Sequence, residues 1–421
     1  MKTPMSQVAF PVALLMISVF VGEACHEVTD APRGKAMAAV TAGGANYYVS
    51  PTGNDGNPCT QAAPCFTMVR VSQLLAPGDT AHFGAGTYNW SSPPIVSTSG
   101  TLGARVTYIS DVKWGAKLVV TGTVNGACGI MKNTGDYVDI IGFDMTMVVP
   151  LGCVQGGGLF QDGNYGRIIG NRVHDLNGLA GTGWAGITVD CCQYTLTGNE
   201  VIGNVVDNIY PGSPATYNDS NHVHGIYLAG PGNTAVNNIV TRASGACIQS
   251  YHGATRLVIS NNVAANCDRY GITISADSFA IPGGTRNDST TVDNNIVVNN
   301  GQYGIREYCQ DPSQGPARVG PNNVYNNNIV YNNPNGNVVI CGGGTESGTI
   351  TLTDAEFAAL FVNYTGDMNG DYHLQSGAVA IDAGTTSCAV GVSDCVPLTD
   401  FDGYPRPYGA AYDIGAYEWH P

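Results

Sequence analysis

Two short patterns of polar and apolar positions alternate along the middle of the chain. The first sets a turn residue and an asparagine ahead of alternating apolar positions: Gly170-Asn-Arg-Val, Gly198-Asn-Glu-Val, Asn237-Asn-Ile-Val, Asn261-Asn-Val-Ala, Asn294-Asn-Ile-Val and Asn327-Asn-Ile-Val. Their second residues, at 171, 199, 238, 262, 295 and 328, are separated by 28, 39, 24, 33 and 33 residues. The second pattern falls between them: Gly186-Ile-Thr-Val, Gly225-Ile-Tyr-Leu, Cys247-Ile-Gln-Ser, Gly271-Ile-Thr-Ile and Gly304-Ile-Arg-Glu, with fainter versions at Ile141-Gly-Phe and Gly158-Leu-Phe. Alternation with a period of two predicts short strands. A basic period near 24 with insertions of variable length predicts a β-solenoid, in which no coil buries its own apolar residues and stacking builds one inner column. The repeated asparagines are expected to stack at one corner and satisfy turn backbone with their amides.

Composition narrows the picture. Charged residues make up 12% of the 421 residues, about half the usual ~25%, while hydrophobic residues reach 43%. With 56 Gly and 22 Pro, the chain suits turns and strands and excludes a helical bundle or an α/β nucleotide enzyme. The net charge of −15 repels a phosphate backbone, and no basic stretch compensates, so nucleic acid is excluded as a partner.

Lys2 followed by the apolar run Val8 to Val21 reads as a bacterial secretory signal peptide over residues 1–24, too short to span a bilayer. A cut before Cys25 makes a lipid anchor at that residue an alternative to free secretion, although Gly22 and Glu23 are poor lipobox residues. The protein is therefore expected outside the cytoplasm, secreted or at the cell surface or periplasm, and monomeric. Residues 25–45 read as a flexible tether, 46–350 as the solenoid with its lead-in segment and a short capping helix near Phe66–Leu75, and 351–421 as a segment that closes the end of the stack and blunts its open edge. Setting Cys25 aside leaves twelve cysteines, an even number that favours disulfides in an exported protein. Spacing suggests Cys59–Cys65 and Cys388–Cys395, and, about one repeat apart, Cys128–Cys153, Cys247–Cys267 and Cys309–Cys341. The partners of the adjacent Cys191 and Cys192 stay open.

Three segments carry a family likeness. They are Tyr47-Tyr-Val-Ser-Pro-Thr-Gly-Asn-Asp-Gly-Asn-Pro with Pro77-Gly-Asp-Thr and Gly86-Thr-Tyr; the Asn-Asn-x-Val repeats; and Asp371-Tyr-His-Leu, Ala380-Ile-Asp-Ala-Gly and Asp400-Phe-Asp-Gly-Tyr-Pro-Arg-Pro, closing at Asp413-Ile-Gly-Ala-Tyr-Glu. In these the chain resembles exported bacterial right-handed parallel β-helix proteins of the pectate-lyase-like superfamily. The resemblance implies an all-β, right-handed parallel β-helix over nearly the whole mature chain. It speaks less to function, because one fold hosts many activities.

If Ile187, Ile226, Ile248, Ile272 and Ile305 point inward, the next residue of each coil points outward. That ladder reads Phe160, Thr188, Tyr227, Gln249, Thr273, Arg306, and a second one two residues on reads Asp162, Asp190, Ala229, Tyr251, Ser275, Tyr308. His224, Ala246, Tyr270 and Tyr303 lie near the strand starts, and His252 closes the face. Insertions at 207–221, 276–289 and 309–322, against minimal turns at 230–233 and 253–255, predict walls around a groove. Aromatic faces with polar tips suit a polysaccharide.

Three readings follow. A polysaccharide lyase would abstract the proton α to a uronate carboxyl: Arg306 would pair with the carboxylate, His224 or His252 would act as base, and Tyr227 or Tyr251 as base or acid. Gln249, Tyr270 and Tyr308, with Asp162 and Asp190, would bind substrate. No lysine follows Lys132, so a lysine base cannot operate on these coils, and no arginine sits in a pectate-lyase-like motif. A glycoside hydrolase would use Asp162 and Asp190, stacked on successive coils; the same pair could hold Ca2+ or simply be solvated. His222-Val-His224 with Asp219 and His252 could bind a transition metal, but an HxH is common by chance. The Asp-Pro-His-Asp motif of β-helix alginate epimerases is absent. The third reading is a non-catalytic glycan-binding or surface protein, since Tyr and Asn ladders also stabilise stacking.

Overall fold

The computed structural model describes residues 44–122, 127–148, 155–179, 184–190, 193–211, 221–276, 286–308 and 318–421. The expected signal peptide, most of the tether, Cys153, Cys191, Cys192 and Cys309 lie outside these residues. The described chain is a parallel β-helix built from three long sheets of 11, 10 and 9 strands. The 11-stranded sheet runs from Asn46–Val49 to Thr345–Ser347, the 10-stranded sheet from Gly86–Trp90 to Ile350–Thr351, and the 9-stranded sheet from Ile95–Val96 to Gly336–Val339.

Alternation places one apolar column per sheet inside. Ile168, Val201, Ala235, Ile259, Val292 and Tyr325 come from the first sheet; Val173, Val206, Val240, Ala264, Val297 and Val330 from the second; Ile187, Ile226, Ile248, Ile272 and Ile305 from the third. All are fully buried. At the N-terminal end a short helix, Met68–Ser72, inserts Met68 and Val71 into the same core, inside the predicted span. Thr67 caps it, and Asp55 accepts the Phe66 and Thr67 amides.

The Gly-Ile pattern has a steric cause. Pairing in the third sheet joins Ala185 to His224 and Ile187 to Ile226, skipping the glycines between them. A Cβ on Gly225 or Gly271 would sit 2.3 or 2.2 Å from Val240 or Val297 Cγ1 of the second sheet, so glycine and isoleucine both face inward. Cys247 takes the glycine position in one coil and turns it into a bridge with Cys267. Cys59–Cys65 and Cys388–Cys395 also form as spacing suggested. The pairs with Cys153 and Cys309 fall outside the described residues.

The paired asparagines divide their work. The second of each pair points inward and builds a buried ladder, Asn171–Asn204–Asn238–Asn262–Asn295–Asn328, each Nδ2 donating to the next Oδ1 at 2.9–3.1 Å. This corrects the repeat alignment. Asn204, not Asn199, follows Asn171, so the spacings 28 and 39 become 33 and 34; Asn199 belongs to another corner with Asn233. The first asparagine of each pair is left-handed, φ 49–56° at Asn237, Asn261, Asn294 and Asn327, a conformation asparagine tolerates. It points outward to the C-terminal segment.

That segment, expected to close the end of the stack, returns along the flank of the solenoid. Asn237, Asn261, Asn294 and Asn327 donate to the carbonyls of Thr399, Asp413, Thr385 and Ala383. Phe361, Tyr372, Leu374, Ile414 and Tyr417 form a second core against Val205, Ile239, Val263, Ile296 and Ile329, the outer side chains of the second sheet. At the end of the stack Thr345–Ser347 stays exposed. Ala45, assigned to the tether, is already held by Asp79 Oδ1 at 2.6 Å.

Beneath the segment, Asp293 is fully buried; Oδ1 accepts the Asn326 amide at 2.8 Å while Oδ2 has no partner. Burial pushes its carboxyl up to about 7 from an ordinary 3.8. The folded state therefore holds the proton more tightly than the unfolded chain, and the stability from this group, complete below pH ~4, is lost as pH rises towards 7. Asp293→Asn is expected to remove a slope of about 1.4 kcal/mol per pH unit across that window. Urea midpoints of the two proteins at several pH values measure the difference; parallel profiles would show that Asp293 ionises freely.

Candidate functional site

With the second sheet covered by the C-terminal segment, the outer face of the third sheet carries the expected ladder. Pairing joins Phe160 to Thr188, Thr188 to Tyr227, Tyr227 to Gln249, Gln249 to Thr273 and Thr273 to Arg306. The strand starts align as well, with Ala246 opposite Tyr270 and Tyr270 opposite Tyr303. Neighbouring side chains on such a ladder lie about 4.8 Å apart, close enough for rings and guanidinium groups to touch across coils.

They form two connected clusters. In one, the Arg306 guanidinium lies over three rings, Tyr270 at 4.5 Å, Tyr308 at 4.9 Å and Tyr303 at 5.1 Å, and has no carboxylate partner among the described residues. Tyr270 is nearly covered, its hydroxyl 3.5 Å from Asn221 Oδ1, whereas Tyr308 is 45% exposed. In the other, His252 stacks on Tyr194 at 4.3 Å and meets Tyr251 edge-on at 4.6 Å and Tyr227 at 6.5 Å. Arg318 joins the two: it lies over Tyr308 and Tyr251 at 5.6 and 5.7 Å and donates to the Tyr251 phenol oxygen. A guanidinium aimed at that oxygen stabilises negative charge developing there.

Not every expected residue fits its role. His224 is buried and stacks at 5.8 Å on Tyr227, but its Nδ1 accepts the Ala246 amide at 3.1 Å, leaving the ring proton on Nε2. Burial, with His222 adding repulsion, pushes its pKa down to about 3. A neutral ring whose acceptor nitrogen is taken is a hydrogen-bond donor, unsuited to the base role. Gln249 lies on the ladder, yet it is nearly buried and spends Nε2 on the Ser250 carbonyl at 2.8 Å.

Both aspartates are committed to structure. Lys132 sits 2.5 Å from buried Asp162. Asp190 is fully buried at φ 60°, with Oδ1 accepting the Gln193 and Tyr194 amides and Oδ2 the Leu196 amide. Burial raises its pKa against these bonds, and Asp162 adds repulsion. They are not a solvated pair: Lys132 and three backbone amides occupy their oxygens, which supports a structural role for both. Among the described residues no three His, Cys, Asp or Glu side chains converge on a metal position. Asp219 and most of the three wall insertions lie outside these residues. The first wall also starts later than expected, because residues 207–211 extend the strand Val205–Pro211.

Sequence reasoning missed Arg318 and Tyr194. Arg318 comes from an insertion without periodicity, and Tyr194 from the turn that Asp190 organises. Asp190→Asn is expected to lower stability by about 1–3 kcal/mol by leaving backbone donors unmatched, with unchanged activity per folded molecule. Thermal melts beside activity assays decide this; an equally stable but inactive variant would restore a catalytic aspartate.

A family model for the right-handed β-helix region matches residues 157–356. No curated protein matches the sequence. Among solved structures, pectate lyase Pel9A is 16% identical and superposes with a TM-score of 0.55 over 89% of this chain and 96% of its own. The Dettilon tailspike protein gives 0.51 over 76% and 57%, at 16% identity, and XylC in complex with xylose gives 0.50 over 73% and 70%, at 14% identity. At these identities the likeness is one of fold: the chain is a right-handed parallel β-helix.

Proposed function

We propose that the protein is an exported polysaccharide lyase that cleaves a uronate-containing glycan by β-elimination on the outer face of the third sheet. The observation that carries this reading is a pair of arginines joined through Tyr308: Arg306, stacked on three tyrosines with no carboxylate of its own among the described residues, and Arg318, which shares the Tyr308 ring and donates to the Tyr251 oxygen. Arg306 pairs with the uronate carboxylate and draws charge from the adjacent carbon, making its proton more acidic. Tyr251, with Arg318 stabilising the phenolate, takes that proton. The electron pair left behind forms the ring double bond as the bond to the 4-linked oxygen breaks. His252, whose ring contacts both Tyr227 and Tyr251, donates a proton to the departing oxygen. Tyr227 and Tyr308 offer ring faces to the sugars, Tyr270 backs the Arg306 guanidinium, and the His224 Nε2–H is a donor behind Tyr227.

Pel9A, which shares the fold, is a pectate lyase, so the architecture accommodates elimination chemistry. The disulfides among the described residues suit an oxidising compartment.

The test incubates mature protein with pectate, alginate and other uronate polysaccharides, following new reducing ends and the ultraviolet absorbance of unsaturated uronates together. Both signals are expected to rise. Arg306→Ala and Tyr251→Phe are each expected to cut the rate at least 100-fold, with thermal stability within about 1 kcal/mol of the parent. Full activity in either variant overturns its assignment. Reducing ends without absorbance indicate hydrolysis, and saturable binding with no change in chain length indicates a glycan-binding protein.

A further inference from the structure

The returning C-terminal segment holds an open cleft of about 810 Å3, built from residues that play no part in the tyrosine–arginine cluster. Its walls combine the aromatic side chains of Trp419 and Tyr404 with the polar groups of Asp402, Gln375, Ser376 and His420. Tyr404 is 54% exposed although nothing in the core requires its ring, which stands 4.6 Å from His420. Tyr408, 55% exposed, packs against His420 at 4.3 Å. The Nε2 of His420 is buried without a hydrogen-bond partner. Exposed rings beside hydrogen-bonding groups are what a saccharide ring needs on its apolar face and at its hydroxyls.

The electrostatics select among sugars. His373, also in the wall, is clamped between Asp371 at 2.6 Å and Asp402 at 2.9 Å, with the Tyr417 ring 3.9 Å away. Burial opposes its charge, but the two carboxylates outweigh burial and raise its pKa. Arg406 is cancelled by Glu418 at 2.6 Å. Lys113, whose amine lies over the Phe401 and Trp114 rings, faces Asp400 and Asp402. Set against Asp371, Asp400, Asp402 and Glu418, these three cations leave the surroundings of the cleft with one net negative charge. A uronate would meet repulsion here, whereas Arg306 and Arg318 attract it on the third sheet.

We propose that this cleft is a second saccharide-binding site, and that it takes neutral sugar residues. It does not depend on the lyase reading, because its residues and its charge preference are separate from those of the ladder.

The test is calorimetric titration of the mature protein with hexaoses of glucose, mannose, galactose and xylose. At least one is expected to bind saturably. Tyr404→Ala, an exposed change compatible with folding, and His420→Ala are each expected to weaken that binding at least tenfold at an unchanged melting temperature. Arg306→Ala is expected to leave it within twofold. Absence of binding by all four sugars overturns the proposal, as does binding lost in Arg306→Ala but kept in Tyr404→Ala. Either failure leaves the assay on uronate polysaccharides unaffected, so the two assignments are separable.

Discussion

A solenoid has to turn its chain at each corner while keeping the backbone's donors and acceptors out of water, and the asparagine pair meets that demand. The inner asparagine offers an oxygen to the backbone and side-chain amides of the preceding coil; its own Nδ2 takes the Oδ1 of the next coil and a carbonyl further back, as at Asn262 with Asn295 and Ala235. Nearly every hydrogen-bonding capacity of the amide is used. The ladder fixes coil spacing and corner position, and so decides which residues of the third sheet come into line. The contact of Arg306 with Tyr270 on the adjacent strand is a consequence of that register.

The outer asparagine links the corner to the rest of the chain. With its backbone in the left-handed region its side chain leaves the solenoid, and four of them grip carbonyls of the returning segment. One flank is thereby occupied, with a second apolar core beneath it. The chain divides its flanks between stability and recognition: the second sheet is covered, while the third presents aromatic and cationic groups.

Much of this was legible in the sequence because it is periodic. The strand alternation, the inward isoleucines and the Tyr227–Gln249–Arg306 ladder follow from a repeat that can be counted. What failed was non-periodic or required knowing who occupies a polar atom. Gly203-Asn204 carries the same signal as Gly198-Asn199, and only stacking shows which one continues the corner. Asp162 and Asp190 occupy equivalent positions, but the partners that consume them, Lys132 and three backbone amides, come from another coil and a turn. His224 lies on the expected face, yet the Ala246 amide takes its acceptor nitrogen. Arg318 sits in an insertion, and the path of residues 361–419 depends on contacts more than 90 residues distant, such as Asn294 with Thr385.

A repeat protein whose units touch only their neighbours can form coil by coil as it leaves the ribosome or a translocation pore. This chain cannot finish that way. The flank shared by Val205, Ile239, Val263, Ile296 and Ile329 receives its cover from residues 361–417, which follow all five of these strands in chain order. Until then an apolar stripe spanning five successive coils of that sheet is bare and open to unwanted association. Residues 361–417 thus seal coils that precede them in the chain, and those coils are protected only once this later segment has docked.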